Sequence, residues 1–531
     1  MLGPRHRVAT PGGHPIQDIH MTRHTVTRRH LGLTLVSASL LGACGSLPTR
    51  AATDAVRLAA LAFDPTRYRS LSLNVNGQTV AVRAYEGLPT VVRPIEPEYQ
   101  ALNLYVPEAY FQGQKVGRYS AATAPIFMPN QVGGYMPAKP GTTESRMDPP
   151  TSAGAAPGAI AVALSRGLVV AAAGARGRTL RSADGTWTGK APAAIVDLKA
   201  AVRWLRHNAG RFPGNTERII SNGTSAGGAL SALLGASGNH PDHAAALQAL
   251  GAADQRDDLF AVSAYCPITN LEQADAAYEW QFTGVNDYRR IEITMLDFNV
   301  QRREIPGTLT AAQIELSAAL KAAFPEYVNS LGLSDPAGRI LRLDAKGQGT
   351  LLDHVKALLG ASAEQALAKG QDLGSRPWLT MAGGRVQAID WGTYARTIGR
   401  LKPTPAFDGV ALDTGENQLF GDARTDKRHF TAFSQARSTV SGATRADALT
   451  VRQMNAMAYL SDTGARVAPH WRIRHGAADR DTSLAIPALL AAAARARAHS
   501  VDLALPWDRP HSGDYDLPEL FDWIDERVAQ G

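Results

Sequence analysis

The sequence predicts an α/β protein: a mostly parallel sheet with helices on both faces, interrupted by one large insertion. Strand-like and helix-like runs alternate over residues 68–266 and again over 448–531. A turn of small residues, Gly223-Thr224-Ser225-Ala226-Gly227-Gly228, joins a short β-type run to a helix-like one. Between the two alternating stretches, residues 267–447 change to helices and irregular segments punctuated by glycine and proline, which reads as an inserted cap.

The chain opens on a leader. Arg28-Arg29 precedes an apolar run from Leu31 that ends in Leu41-Gly42-Ala43-Cys44. These 14 residues are too few to cross a bilayer, which takes about 20, so an export signal is expected over residues 1–44. The twin arginines resemble a Tat signal. Leu-Gly-Ala-Cys resembles a bacterial lipobox, with Cys44 as the lipidated residue; a plain signal cut near Ala51-Ala52 is the alternative. The expected location is thus outside the cytoplasm, membrane-anchored through Cys44 or else periplasmic or secreted, with Met21 a second possible start.

The formal net charge of +7 sits largely in this leader, where Arg5, Arg7, Arg23, Arg28 and Arg29 face one acid, Asp18, leaving +3 for the remainder. Nucleic acid is therefore not an expected partner. Of 531 residues, 44% are hydrophobic, enough to bury a large core. Cys44 and Cys266 are the two cysteines; with Cys44 lipidated, Cys266 has no partner, and its apolar surroundings predict a buried strand residue. No cysteine or histidine spacing resembles a zinc site, so neither metal nor cofactor is expected.

Leu71–Val75 and Gln78–Tyr85 flank Asn76-Gly77 and read as a hairpin, because both turn residues tolerate positive φ. Strands are expected at Ala101–Val106, Pro125–Pro129 and Gly167–Ala172, the second running into Gly133-Gly134. A helix at Ala194–Asn208 precedes the strand Arg218–Ser221 and the helix Ala229–Leu234. Residues 136–157, rich in Pro, Gly, Ser and Thr, are expected to form a loop. Late in the chain come a strand at Trp471–Arg474, a helix near Ile486–His499, a strand at Val501–Pro506 and a helix near Leu517–Val528.

Glycines around Ser225 permit a sharp strand-to-helix turn that lifts Oγ out of the backbone at a helix N-terminus, the signature of a nucleophile elbow. Such a serine needs a base and a carboxylate to orient that base, in the order serine, acid, histidine. Asp479 lies in the loop after Trp471–Arg474, 254 residues beyond Ser225, with Asp481 the alternative acid. His511 follows 32 residues after Asp479, beyond the next strand, while His475 reads as a packing or turn residue. The backbone N–H of Ala226 and one from the Gly133-Gly134 turn, Gly134 by preference, are the expected oxyanion donors.

Tyr265–Ile268, Ala277–Phe282, Glu416–Asp422, Trp471–Thr482 and His511–Asp516 resemble blocks of the bacterial tannases, tannin acyl hydrolases of the α/β-hydrolase fold, and the likeness runs from about residue 68 to the end. It is weak over residues 283–308 and 334–400. The resemblance implies a triad of Ser225, Asp479 and His511, and galloyl-binding roles for Lys402, Glu416 and Asp481. Without it, Lys402 and Glu416 read as surface charges. The implied activity is hydrolysis of galloyl esters of tannins and simple alcohols through an acyl-enzyme, releasing gallate. A feruloyl or general aryl esterase on the same triad is the nearest alternative, and a binding protein without catalysis a more distant one.

Overall fold

The structure, a computed structural model, describes residues 59–145, 157–296 and 299–530. The leader with Cys44 and much of the 136–157 loop lie outside them. No helix among the described residues is long and apolar enough to cross a membrane.

Strands β1 (Arg69–Val75), β2 (Gln78–Pro89) and β3 (Ala101–Pro107) open the main sheet, followed by β4 (Pro125–Pro129), β5 (Val169–Ala173), β6 (Asn215–Thr224) and β7 (Ala261–Tyr265). The chain then leaves the sheet. It forms two separate hairpins, β8 (Asp287–Leu296) with β9 (Asn299–Thr308) and β10 (Leu379–Ala382) with β11 (Arg385–Ile389), among several helices. It returns as β12 (His470–Arg474) and β13 (Ser500–Ala504). The nine-stranded order is β1-β2-β3-β5-β4-β6-β7-β12-β13. Pairing is antiparallel as far as β3–β5 and parallel from there on.

Local chemistry accounts for these elements. Asn76 and Gly77 both take positive φ, 51° and 83°, so Val75 pairs directly with Gln78. Strands β4, β5 and β7 are buried at every position, because helices cover both faces of the parallel sheet and alternation is lost. The Ala226–Ala236 helix is buried throughout, and its small residues let it lie close on the sheet: a Cβ at Gly228 would sit 2.4 Å from the Tyr265 carbonyl oxygen.

Two expectations need correction. The insertion is not only helical and irregular, since it carries β8–β11; in β10–β11 the legible signal was Gly383-Gly384, both at positive φ and flanked by paired strands. The helix placed near Ile486–His499 spans Ala485–Arg495, and His499 N instead donates to the Pro469 carbonyl at the start of β12.

Candidate active site

The carboxyl ends of the parallel strands gather the chemistry, as expected for an open α/β sheet. Ser225 follows β6 directly with φ 61° and ψ −122°, a conformation costly for a side-chain-bearing residue. Its neighbours hold it there. Ser225 N donates to the Tyr265 carbonyl at 3.0 Å, and its own carbonyl accepts from Ala229 N at 2.9 Å and Ile268 N at 3.3 Å. Ala226 opens the following helix, so its N–H has no acceptor within that helix. Gly134 takes φ 54° in the turn beyond β4, and its carbonyl accepts from Arg178 Nε at 2.8 Å.

Asp479 lies in the loop after β12 and His511 in the loop after β13. His511 Nδ1 stands 2.8 Å from Asp479 Oδ2 and 3.8 Å from Asp481 Oδ2, so Asp479 is the bonded acid. Asp479 Oδ1 accepts from Asp481 N at 2.8 Å. His475 is fully buried, with Nε2 3.5 Å from Asp479 Oδ2. Burial pushes the Asp479 carboxyl up, but His511, His475 and the Asp481 N–H outweigh it and bring it to about 2. Burial disfavours a charged His511, yet Asp479 and then Asp481 hold its pKa well above the ordinary histidine value.

Lys402 joins the same cluster. Its Nζ donates to the Asp481 carbonyl at 2.8 Å, lies 3.7 Å from Asp481 Oδ1, and sits 4.1 Å over the Phe407 ring. Glu416 is half-buried in the Gly415–Leu419 helix, and its charge acts on two residues around Gly134. Buried Tyr135, next to Gly134, feels the Glu416 charge, and its hydroxyl donates to the Ile268 carbonyl at 3.2 Å. Arg178, whose guanidinium bonds both Gly134 O and Gln418 Oε1, feels it too. No hydrogen bond among the described residues joins Ser225 Oγ to His511; in hydrolases such bonds often tighten only around substrate.

The loop bearing His511 is tied to three strands. Asn222 of β6 donates to Asp514 at 3.0 Å, Tyr265 of β7 donates to Asp516 Oδ1 at 2.6 Å, and Arg472 of β12 bonds Asp516 Oδ2. Cys266, one residue past β7, has its Sγ 3.9 Å from His511 Nε2 and donates to the Ser512 carbonyl at 3.4 Å. Burial pushes its thiol up, against His511 and the Ser225 backbone. Cys266, Asp479 and His511 present ligand-type atoms within 4.8 Å of one another, although the His511–Asp479 bond already engages two of those groups.

With this geometry in view, known proteins give a consistent answer. The crystal structure of the tannase from Lactobacillus plantarum superimposes with a TM-score of 0.84 at 48% identity, over 88% of this chain and 100% of that one. The Fusobacterium nucleatum tannase gives 0.83 at 46% identity, over 88% and 99%. The chain belongs to the bacterial tannases. It is a carboxylic ester hydrolase on the α/β-hydrolase fold. A tannin acyl hydrolase solved in complex with ethyl gallate matches at 48% identity and a TM-score of 0.81, over 88% of this chain and 98% of that one. The family model described as BD-FAE matches residues 181–305. Esterase LipC of Mycobacterium tuberculosis is 45% identical over 56 residues, which is 10% of this chain and 14% of that esterase.

Sequence reasoning missed two residues that stand between Gly134 and Glu416. Tyr135 and Arg178 carry no motif, and their relation to Glu416 arises only when the β4 turn meets the insertion. Cys266 was expected as a buried strand residue; it is fully buried, but it stands past the strand at φ 34°, against the catalytic-type histidine.

Proposed function

We propose that Ser225, His511 and Asp479 hydrolyse galloyl esters through an acyl-enzyme. His511 Nε2 takes the Ser225 proton as Oγ attacks the ester carbonyl; the tetrahedral oxyanion is held by the N–H groups of Ala226 and Gly134, each worth about 3 to 4 kcal/mol in such sites. Collapse breaks the ester C–O bond, and His511 returns the proton to the leaving alcohol. Water then repeats the sequence, freeing gallate and restoring Ser225. Asp479 keeps the imidazole in the tautomer with Nδ1–H and stabilises the imidazolium.

Lys402, Asp481 and Glu416 select the acyl ring. Three adjacent phenolic hydroxyls can donate to the two carboxylates and accept from the ammonium. The observation that carries this reading is the contact series from Lys402 Nζ through Asp481 to His511 and Asp479, which sets a phenol-recognising pair beside the acid and base. The 267–447 insertion acts as the cap that brings Lys402 and Glu416 to the sheet.

Methyl gallate against methyl ferulate is the deciding comparison: gallate is preferred, and Lys402→Ala and Glu416→Ala weaken that preference. Ferulate preferred, with both variants harmless, would replace this reading with a feruloyl esterase. Ser225→Ala abolishes turnover of both esters; undiminished hydrolysis would remove Ser225 from the nucleophile's role. The Arg28-Arg29 and Leu41–Cys44 segments support export with a lipid on Cys44. Mass spectrometry of the mature N-terminus checks it, a cut near Ala51-Ala52 being the contrary result.

A further inference from the structure

The block Ala277–Phe282 lies in the Leu271–Phe282 helix, which follows β7. Three of its side chains reach two segments, residues 400–404 and 480–484. Glu279 pairs with Arg400 and accepts from Thr404 Oγ1 at 2.7 Å. Gln281 Oε1 accepts from Leu484 N at 2.9 Å and from Ser483 Oγ at 3.2 Å. Tyr278 lies between these anchors. Its hydroxyl accepts from Leu401 N at 3.0 Å and Lys402 N at 3.2 Å, and donates to the Arg480 carbonyl at 3.0 Å.

A phenol has one proton to give and two lone pairs, so all the capacity of this hydroxyl is spent on two segments distant in sequence. One segment carries Lys402 and the other Asp481. The ring is fully buried and packs against Phe282 at 4.7 Å between centroids, so the hydroxyl is held by the core rather than by either loop. We propose that Tyr278 is a positioning residue that sets the spacing of Lys402 and Asp481 and thereby the enzyme's preference for hydroxylated acyl rings. The inference rests on the galloyl-binding role of that pair.

Tyr278→Phe keeps the ring and removes the tie, leaving the Leu401 and Lys402 amides without their buried acceptor. No hydrogen bond among the described residues joins Tyr278 to Ser225, His511 or Asp479, so the loss falls chiefly on ring recognition. For methyl gallate, kcat/KM falls by about 10- to 100-fold, chiefly through KM, as displacements of about 1 Å in positioning groups do elsewhere. For methyl benzoate, which has no hydroxyls to recognise, it stays within about 2-fold of wild type. Equal losses on both esters, or an unchanged ratio, overturn the proposal.

Lys402→Ala separates the two layers. If it leaves the gallate-to-benzoate ratio intact, the galloyl reading itself fails; if it lowers the ratio while Tyr278→Phe does not, the tyrosine inference alone fails. Should Tyr278→Phe not fold, hydrogen exchange on the wild-type protein still decides. The Leu401 and Lys402 amides exchange as slowly as the Leu271–Phe282 helix, and more slowly still with gallic acid added. Exchange at the rate of an open loop, or no response to gallic acid, overturns the proposal.

Discussion

Replacing Asp479 by asparagine tests the acid–base pair with almost no change of shape. Asp479 Oδ1 is already committed to the Asp481 N–H at 2.8 Å, a bond the amide oxygen of asparagine can keep. That fixes the side chain with its NH2 toward His511 Nδ1, where the carboxylate Oδ2 stood at 2.8 Å. An amide donor there forces Nδ1 to become the acceptor, so the ring proton moves to Nε2. Nε2 can then no longer take the Ser225 proton. The same tautomer exchange in a serine protease triad costs about 10⁴ in kcat, and about 5 kcal/mol of barrier follows at 1.36 kcal/mol per decade. Steady-state hydrolysis of methyl gallate at neutral pH, with melting temperature measured alongside, is the assay. A fall of less than about 10-fold in a folded variant refutes the role of Asp479. A far larger loss in Asp481→Asn than in Asp479→Asn would instead move the acid to Asp481.

Two more outcomes follow from the same loops. The proposed base, His511, works only when neutral, and Asp479 and Asp481 raise its pKa, so the acid limb of kcat/KM against pH is expected above the ordinary histidine value of 6.5. Asp481→Asn removes a charge 3.8 Å from Nδ1 and shifts that limb to lower pH; methyl benzoate is the substrate to use, and an unmoved or upward limb contradicts the assignment. Gly476→Ala places a Cβ 2.0 Å from the Arg509 carbonyl oxygen and 2.9 Å from that of Pro510, forcing the acid and histidine loops apart. Activity on both gallate and benzoate esters falls by about 100-fold with a lower melting temperature, and wild-type turnover would show that the two loops adjust independently.

The order of the sheet elements was legible because each has a local cause. Asn76-Gly77 makes a hairpin turn by itself, and the small residues from Gly223 to Gly228 allow a sharp turn and close helix packing without help from distant chain. Asp479 and His511 were legible by position, since loops beyond parallel strands lead to one edge of the sheet. The rest depends on long-range meetings that leave no local trace. Strand β8 pairs along its length with β9 and meets Arg400 in a single parallel bridge at Tyr288, so its role comes from these partners and not from its own pattern. Tyr278 is one of three aromatics in Ala277–Phe282, and nothing local marks it until the Lys402 segment and the acid loop arrive at its hydroxyl. Lys402 and Glu416, taken alone, look like any surface charge; resemblance marked them, and for Lys402 the contact with Asp481 supplies the physical reason.

His511 rides on a loop that must travel from β13 back over β12 and β7 toward β6, three strand spacings or roughly 14 Å. Asp516 fastens it to Arg472 and Tyr265, and Asp514 fastens it to Asn222, so each strand it crosses holds it. Turnover is thereby a gauge of sheet integrity. On heating, activity is therefore expected to fall in step with tertiary structure rather than ahead of it, which hydrolysis and near-UV circular dichroism followed over one temperature ramp would check. Substitutions that stabilise the β6-β7-β12-β13 half of the sheet are then expected to raise the temperature at which activity is lost, with Ser225, Asp479 and His511 unaltered.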